Sequence, residues 1–177
     1  MPSWQPNFDW ITDHLAVGGS FPAGQTQRLA REHGIVAVVD LRNEDADDER
    51  LLGAHGIALL HLPTQDMCGV DHAHLDLGVE FASRHLDRGE RVLVHCEHGI
   101  GRSAVLALCI LVDRGHAPLA ALELLKDRRA RVAPSAEQLA CWSDWLKSRR
   151  RRAPCDWELP DLDDCKAIVY RHLLPPD

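Results

Sequence analysis

Arg91-Val92-Leu93-Val94-His95-Cys96-Glu97-His98-Gly99-Ile100-Gly101-Arg102-Ser103, followed by the apolar run AVLALCILV over 104–112, decides the architecture of this chain. A run of strand character leads in and an apolar run of helix length leads out. The loop between them holds two glycines, with Cys96 at one end and Arg102 at the other. Strand, tight loop and helix N-terminus together aim backbone N–H groups at one point, which is the geometry of an anion cradle.

Working outward, residues 8–19 read as a short strand pair closed by Gly18-Gly19. Residues 22–33 are helix-like and stop at Gly34, and 35–41 is the continuous β-branched run of a buried strand. Residues 45–55 read as a helix ending at Gly56, 57–62 as a strand, 63–71 as a loop, and 72–88 as a helix ending at Gly89. Beyond the central apolar helix, 118–129 and 135–150 predict two more helices, separated by Ala133-Pro134. This alternation predicts an α/β domain with a mainly parallel central sheet and helices on both faces. Ligands of such sheets sit at the carboxyl ends of the strands, where both the Cys96 loop and the 63–71 loop emerge. The domain is expected over residues 1–148. Residues 149–177 differ in composition: an arginine run (149–152), an acidic, proline-containing stretch (155–164) and a short helix from Lys166. They read as an appended tail able to pack back on the domain.

The 177 residues suffice for one core, and a 45% hydrophobic share is that of a globular chain. A net charge of −7 argues against nucleic acid or an anionic membrane as partner, since both need a basic face. The run after Ser103 is too short to span a bilayer, and the N-terminus has no basic, then apolar, leader pattern. Six cysteines without C-x-x-C spacing read as reduced thiols, so a cytoplasmic location is expected.

In the loop, Cys96 becomes a nucleophile only as thiolate, and a helix N-terminus, converging N–H groups and Arg102 all favour that charge. Arg102 carries a planar fork that matches two oxygens of a phosphoryl group. Gly99 and Gly101 let the backbone curl, His95 can fix the loop by hydrogen bonding, and Ser103 can donate to the sulfur when it leaves. Trp142 and Trp145, at i and i+3, read as core.

His95-Cys96-x-x-Gly99-x-x-Arg102-Ser103 resembles the H-C-x-x-G-x-x-R-[S/T] signature of the protein tyrosine phosphatase superfamily. The length, the mid-chain position of the motif and the apolar helix after it are similar to the compact, atypical dual-specificity branch. Asn7-Phe8-x-Trp10 with Leu15-Ala16 is similar to the opening of its small members, and the resemblance covers roughly residues 7–148. It implies a cysteinyl-phosphate intermediate, with Cys96 as nucleophile, Arg102 on the phosphoryl oxygens and Ser103 on the sulfur. It also implies a general acid on a loop about thirty residues before the cysteine. Asp66, in Leu62-Pro63-Thr64-Gln65-Asp66, fits, and Asp71 is the second candidate. Glu97, His98, Gly99, Ile100 and Gly101 then form the substrate-binding loop with Arg102.

His95, Ser135 and Arg42 are expected as supporting residues. Ser135 stands where many members carry a loop-bracing asparagine. Arg42 reads either as a substrate contact or as a structural ion pair, and Gln138 as a candidate for ordering water. Cys68 reads as an inert loop thiol, with a protective disulfide to Cys96 as the alternative. His61, His72 and His74 complete no metal-ligand spacing, so neither metal nor organic cofactor is expected. Lysine-free and carrying Glu97, the loop disfavours polyphosphorylated rings. The expected substrate is therefore a phosphorylated protein, with phosphotyrosine first and phosphoserine or phosphothreonine next. A small-molecule, lipid or RNA 5′ phosphate is the alternative, as is a phosphoresidue-binding module without catalysis. A cysteine anion loop alone also suits sulfur or arsenate chemistry.

Overall fold

A computed structural model describes residues 3–173. Five strands form one sheet: β1 (Phe8–Trp10), β2 (Leu15–Gly18), β3 (Ile35–Arg42), β4 (Ala58–Thr64) and β5 (Arg91–His95), in the order β1-β2-β5-β3-β4. Only β1 runs antiparallel; β2, β5, β3 and β4 pair in parallel. The helices are α1 (Thr26–Arg31), α2 (Glu49–Ala54), α3 (His72–Asp87), α4 (Arg102–Asp113), α5 (Pro118–Arg128), α6 (Ala136–Arg152) and α7 (Leu162–Val169). The fold is the α/β architecture expected, with a mostly parallel sheet between helical layers.

Strand alternation divides the core in two. Val92 and Val94 of β5, with Val17 of β2 and Val39 of β3, join the large core shared with α3 to α7. Leu93, Ala16 and Val38 face the opposite way, into a smaller core with Leu29 of α1 and Leu52 of α2. Every residue of α4 from Arg102 to Val112 is buried. A helix apolar all round belongs at the centre of a layer, and α4 packs against β5, α3, α5 and α6. Trp142 and Trp145 are buried in the large core, and the Trp145 indole donates to Asp76 at 2.9 Å.

Several elements differ from the sequence reading; the short tail helix expected from Lys166 begins four residues earlier, at Leu162, capped by Asp161. The helix expected from Asp45 begins at Glu49, capped by Asp48, whose carboxylate accepts from the Arg50 and Leu51 N–H groups. Residues 43–48 are loop, and the carboxylates of Glu44, Asp45 and Asp47 within it are drawn to Arg102 and Arg42. The strand expected to end at Leu62 extends to Thr64, pairing with Arg42. The boundary placed at Arg149 falls inside α6, which continues to Arg152; its four terminal arginines suit the negative end of the helix dipole. The tail packs back: Cys165 and Val169 are buried in the large core. The Tyr170 hydroxyl donates to the Pro134 carbonyl.

Candidate active site

The loop from Cys96 to Gly101 leaves the carboxyl end of β5 at the middle of the sheet. It is pinned to β2 and the turn after it: Cys96 N–H donates to Gly18 O at 3.3 Å, and Ser20 N–H to Glu97 O at 3.0 Å. Gly99 sits at φ +68°, and a Cβ there would lie 2.4 Å from the Gly18 carbonyl carbon. Only glycine meets both demands. Gly101 has an ordinary φ of −119°. A Cβ there would lie 2.4 Å from Gln138 Oε1, so a side chain at this position would displace the Gln138 amide.

Cys96 is buried at the head of α4. Its sulfur lies 3.3 Å from Ser103 Oγ and accepts from Gly99 N–H at 3.3 Å. Burial opposes the thiolate. The Ser103 hydroxyl and N–H, the Gly99 N–H and the Arg102 charge outweigh it, so the thiol titrates below its ordinary value. Burial pushes the thiols of Cys109 and Cys141 up, and that of Cys165 to about 11. Those three are packing residues. Cys68 lies on the Asp66 loop, partly exposed, and all six cysteines are free thiols.

Arg102 is almost wholly buried, yet its donors divide cleanly. Nη1 and Nη2 grip both oxygens of Glu44 at 2.7 Å, and Nη1 also donates to the Thr64 carbonyl at 2.8 Å. Nε has no hydrogen-bond partner. Of the five guanidinium donors, the Nε–H and the second Nη2–H remain. These two lie along one edge, a fork spaced for two oxygens. Asp66 Oδ1 stands 3.4 Å from Nε, and its carboxylate is more than half exposed. In addition to Asp66, the cavity over Cys96 is lined by Met67, His98, Ile100, Gly101, Ala133 and Gln138 and measures about 90 Å³. Gln138 is buried, and its Nε2 has no partner.

His95 is fully buried. Its Nε2 lies 2.6 Å from Asp47 Oδ2 and its Nδ1 3.2 Å from the Cys96 carbonyl oxygen. With acceptors on both ring nitrogens the residue is an imidazolium. Burial works against that charge, but Asp47 and then Asp40 outweigh it and raise its pKa. Arg42 forks onto both oxygens of Asp40 at 3.0 Å and reaches Asp47 at 2.9 Å. Ligand atoms of Asp40, Asp47 and His95 come within 4.8 Å of one another, close enough to hold a metal. Arg42 and the Asp47 N–H already occupy the Asp40 oxygens. Two carboxylates balance two cations, so the donor set is that of an ion-pair cluster.

The remaining sequence candidates sort as follows. Arg42 stands in that buried cluster and touches the loop through Glu97 at 3.5 Å. Glu97 also accepts from Ser20 Oγ at 3.1 Å and is directed away from the cavity, whereas His98 and Ile100 line it. Ser135 caps α6 in a reciprocal box with Gln138. Its hydroxyl donates to Met67 O at 2.9 Å, so it braces the Asp66 loop and not the Cys96 loop. Asp71 caps α3 through the Ala73 N–H. His72 and His74 open the same helix, and His61 Nε2 lies 2.6 Å from the Arg42 carbonyl.

Sequence reading missed Glu44, Asp47 and Arg129. Arg129 bonds Gly99 O, His98 O, Asn7 Oδ1 and Asp9 Oδ2 at 2.7–3.1 Å, tying the loop to β1. No local pattern marks it. The acid-rich stretch Glu44-Asp45-Ala46-Asp47-Asp48-Glu49 did carry a signal, because a helix start needs only one capping carboxylate.

A buried, acidified thiol at a helix N-terminus, beside an arginine with one free edge, is the arrangement of a cysteine-based phosphatase. Residues 16–116 match the family described as "Polymorphic toxin system, DSP-PTPase phosphatase". The rat phosphatidylglycerophosphatase and protein-tyrosine phosphatase 1 is 30% identical over 156 residues, spanning 82% of this chain and 80% of the relative. A crystal structure of PTPMT1 with PI(5)P superposes with TM-score 0.76 at 23% identity, covering 82% of this chain and 99% of that one. A mouse putative dual-specificity phosphatase complexed with zinc tungstate gives TM-score 0.76 at 24% identity, over 88% and 98%. The chain belongs to the DSP-PTPase family of the protein tyrosine phosphatase superfamily and is a phosphatase of its compact, atypical dual-specificity branch. Among the described residues no helix is long and apolar enough to cross a membrane.

Proposed function

We propose that this phosphatase hydrolyses phosphomonoesters of proteins, phosphotyrosine first and phosphoserine or phosphothreonine next, by a two-step cysteinyl-phosphate mechanism. The observation that carries the reading is the unpartnered Nε edge of Arg102 beside the Cys96 sulfur. Two phosphoryl oxygens accept from Nε–H and Nη2–H, and the positive end of the α4 dipole favours the same anion. The Cys96 thiolate attacks phosphorus and the phosphorus–ester oxygen bond breaks. Asp66, in its protonated form, gives the leaving oxygen its proton.

In the second step Asp66 takes a proton from water, the water oxygen attacks phosphorus, and Cys96 leaves as thiolate. Ser103 stabilises that leaving sulfur. Gln138, with its unpartnered Nε2 at the cavity wall, is placed to hold the water or an oxygen of the phosphoryl group.

The substrate class rests on charge and size. No lysine or arginine lies between Cys96 and Arg102. A second phosphate would find no cation there. The cavity of about 90 Å³ accommodates the phosphoryl group and little more, compared with roughly 300 Å³ or more for sites that enclose a small molecule. Shallow binding suits alkyl as well as aryl esters. Six free thiols, one of them a nucleophile that works only reduced, fit the cytoplasm. A lipid phosphomonoester is the second reading, favoured by the rat relative, whose name includes phosphatidylglycerophosphatase.

The test is turnover on a matched panel of phosphotyrosine and phosphoserine peptides and phosphatidylglycerophosphate vesicles, for the wild type, Cys96→Ser and Asp66→Asn. Cys96→Ser is expected to abolish turnover of every substrate. Asp66→Asn is expected to slow poor leaving groups far more than p-nitrophenol. Higher kcat/KM on the vesicles than on the peptides would replace the protein reading with the lipid one.

A further inference from the structure

The turn that carries Asp66 contains the one non-glycine residue with positive φ among the described residues, Met67 at +64°. The turn is closed by Cys68 N–H onto Gln65 O at 3.3 Å, and Met67 stands at its third position, where glycine or asparagine is favoured. A left-handed conformation at a residue with a side chain costs about 1–2 kcal/mol and persists only where surroundings enforce it. Here they do. Met67 N–H donates to Asp66 Oδ1 at 2.9 Å, and Met67 O accepts from Ser135 Oγ at 2.9 Å.

The side chain so held is not core. Met67 is 63% exposed, one of the few large hydrophobics left in water, and it lines the cavity over Cys96. Two other apolar groups there, Ile100 and Ala133, are fixed to each other by Ala133 N–H onto Ile100 O at 3.0 Å. Ala133 and Ser135 flank the same proline, so one segment anchors the loop of Met67 and the backbone of Ile100. Three chain segments thus place apolar atoms at the mouth of a cavity sized for a phosphoryl group.

Building on the phosphomonoesterase reading, we propose that Met67 is a specificity-determining residue. Its thioether lies against the organic group joined to the ester oxygen and favours aromatic groups over polar ones. Because the cavity takes the phosphoryl group alone, the rest of the substrate must rest on this mouth. An exposed methionine there offers a polarisable, adaptable face to a ring and no hydrogen bond to a hydroxyl.

The experiment compares wild type, Met67→Gly and Met67→Leu. Glycine relieves the backbone strain while deleting the side chain, so the fold is kept or gains stability. Two quantities are read: kcat/KM for 2-naphthyl phosphate, and the inhibition constant of orthophosphate, which has no organic group. Met67→Gly is expected to lower kcat/KM about tenfold, the order of one partly buried methionine contact, and to change the orthophosphate constant less than about twofold. Met67→Leu is expected to restore most of the loss. An active wild type with equal kcat/KM in Met67→Gly overturns the inference alone, as does parallel weakening of orthophosphate. A wild type inactive on 2-naphthyl phosphate overturns the hydrolase reading itself, and this inference with it.

Discussion

Glu44→Gln tests how the substrate-facing edge of Arg102 is kept free. The carboxylate receives two charge-assisted bonds of 2.7 Å from the guanidinium. Chiefly through those bonds, the Glu44 carboxyl is held at about 2 instead of its ordinary 4.5. Fully expressed, that difference would stabilise the fold by about 3 kcal/mol. The side chain is 43% exposed. Water and salt screen the pair, and about 1 kcal/mol is the expected share. Its sign follows from a depressed folded value: the contribution is complete above pH 4.5 and fades as pH falls towards 2.

Activity is the larger effect. Glutamine turns N–H donors on one of the two Arg102 nitrogens, so the fork tilts about its remaining bond to Thr64 O. A displacement of the order of 1 Å costs up to about 100-fold in rate, and a fall in kcat/KM of about 10- to 100-fold is expected. The assay is kcat/KM for p-nitrophenyl phosphate at pH 7, with urea unfolding at pH 7 and pH 4. The stability deficit of the variant is expected to shrink at the lower pH. A kcat/KM within twofold of wild type would refute the bracing role. A rise would show that Glu44 competes with the phosphoryl group for Arg102.

Two further predictions concern the sulfur and the imidazolium. Ser103→Ala removes the chief hydrogen bond that offsets burial at Cys96, so the acid limb of the kcat/KM profile should move to higher pH; an unmoved limb would assign the lowered thiol to the backbone and Arg102. Asp47→Asn removes the partner that raises the His95 pKa. A raised value contributes fully below the ordinary 6.5 and is lost as pH rises through the folded value, so the urea-measured deficit of the variant, about 2–4 kcal/mol at pH 6, should narrow by pH 9, and an equal deficit at both would contradict the imidazolium.

Which parts of this site were legible follows from the range of the forces involved. Cys96, Gly99, Arg102 and Ser103 act through one strand–loop–helix unit, and their spacing alone makes the cradle. Asp66 could be placed nearby because parallel strands bring their carboxyl ends together. Arg42 was ambiguous: an arginine at a strand end serves a substrate or a carboxylate equally well, and Asp40, two residues away, took both its oxygens to the task. Ser135 matched a bracing position by alignment to a motif. Its short side chain instead reaches the nearest carbonyl, that of Met67. The acidic run 44–49 carries the charge pattern of a helix start, but the buried cations Arg42, His95 and Arg102 outcompete capping for the carboxylates of Glu44, Asp45 and Asp47.

By itself, the sequence determined the layered α/β fold, the central buried helix and the cysteine–arginine loop. Those depend on hydrophobic period, glycine placement and neighbours along the chain. Tertiary structure alone decided which charged side chains serve the loop: Glu44 meets Arg102 across 58 positions, Asp47 meets His95 across 48, and Arg129 meets Gly99 across 30. The chain carries 27 acids and 20 lysines and arginines, and pairing among them is chosen by burial. A cation taken out of water must find its counter-charge wherever packing delivers one. That choice left the Nε edge of Arg102 without a hydrogen-bond partner and with only the exposed Asp66 carboxylate beside it, and the chemistry proposed for the protein begins there.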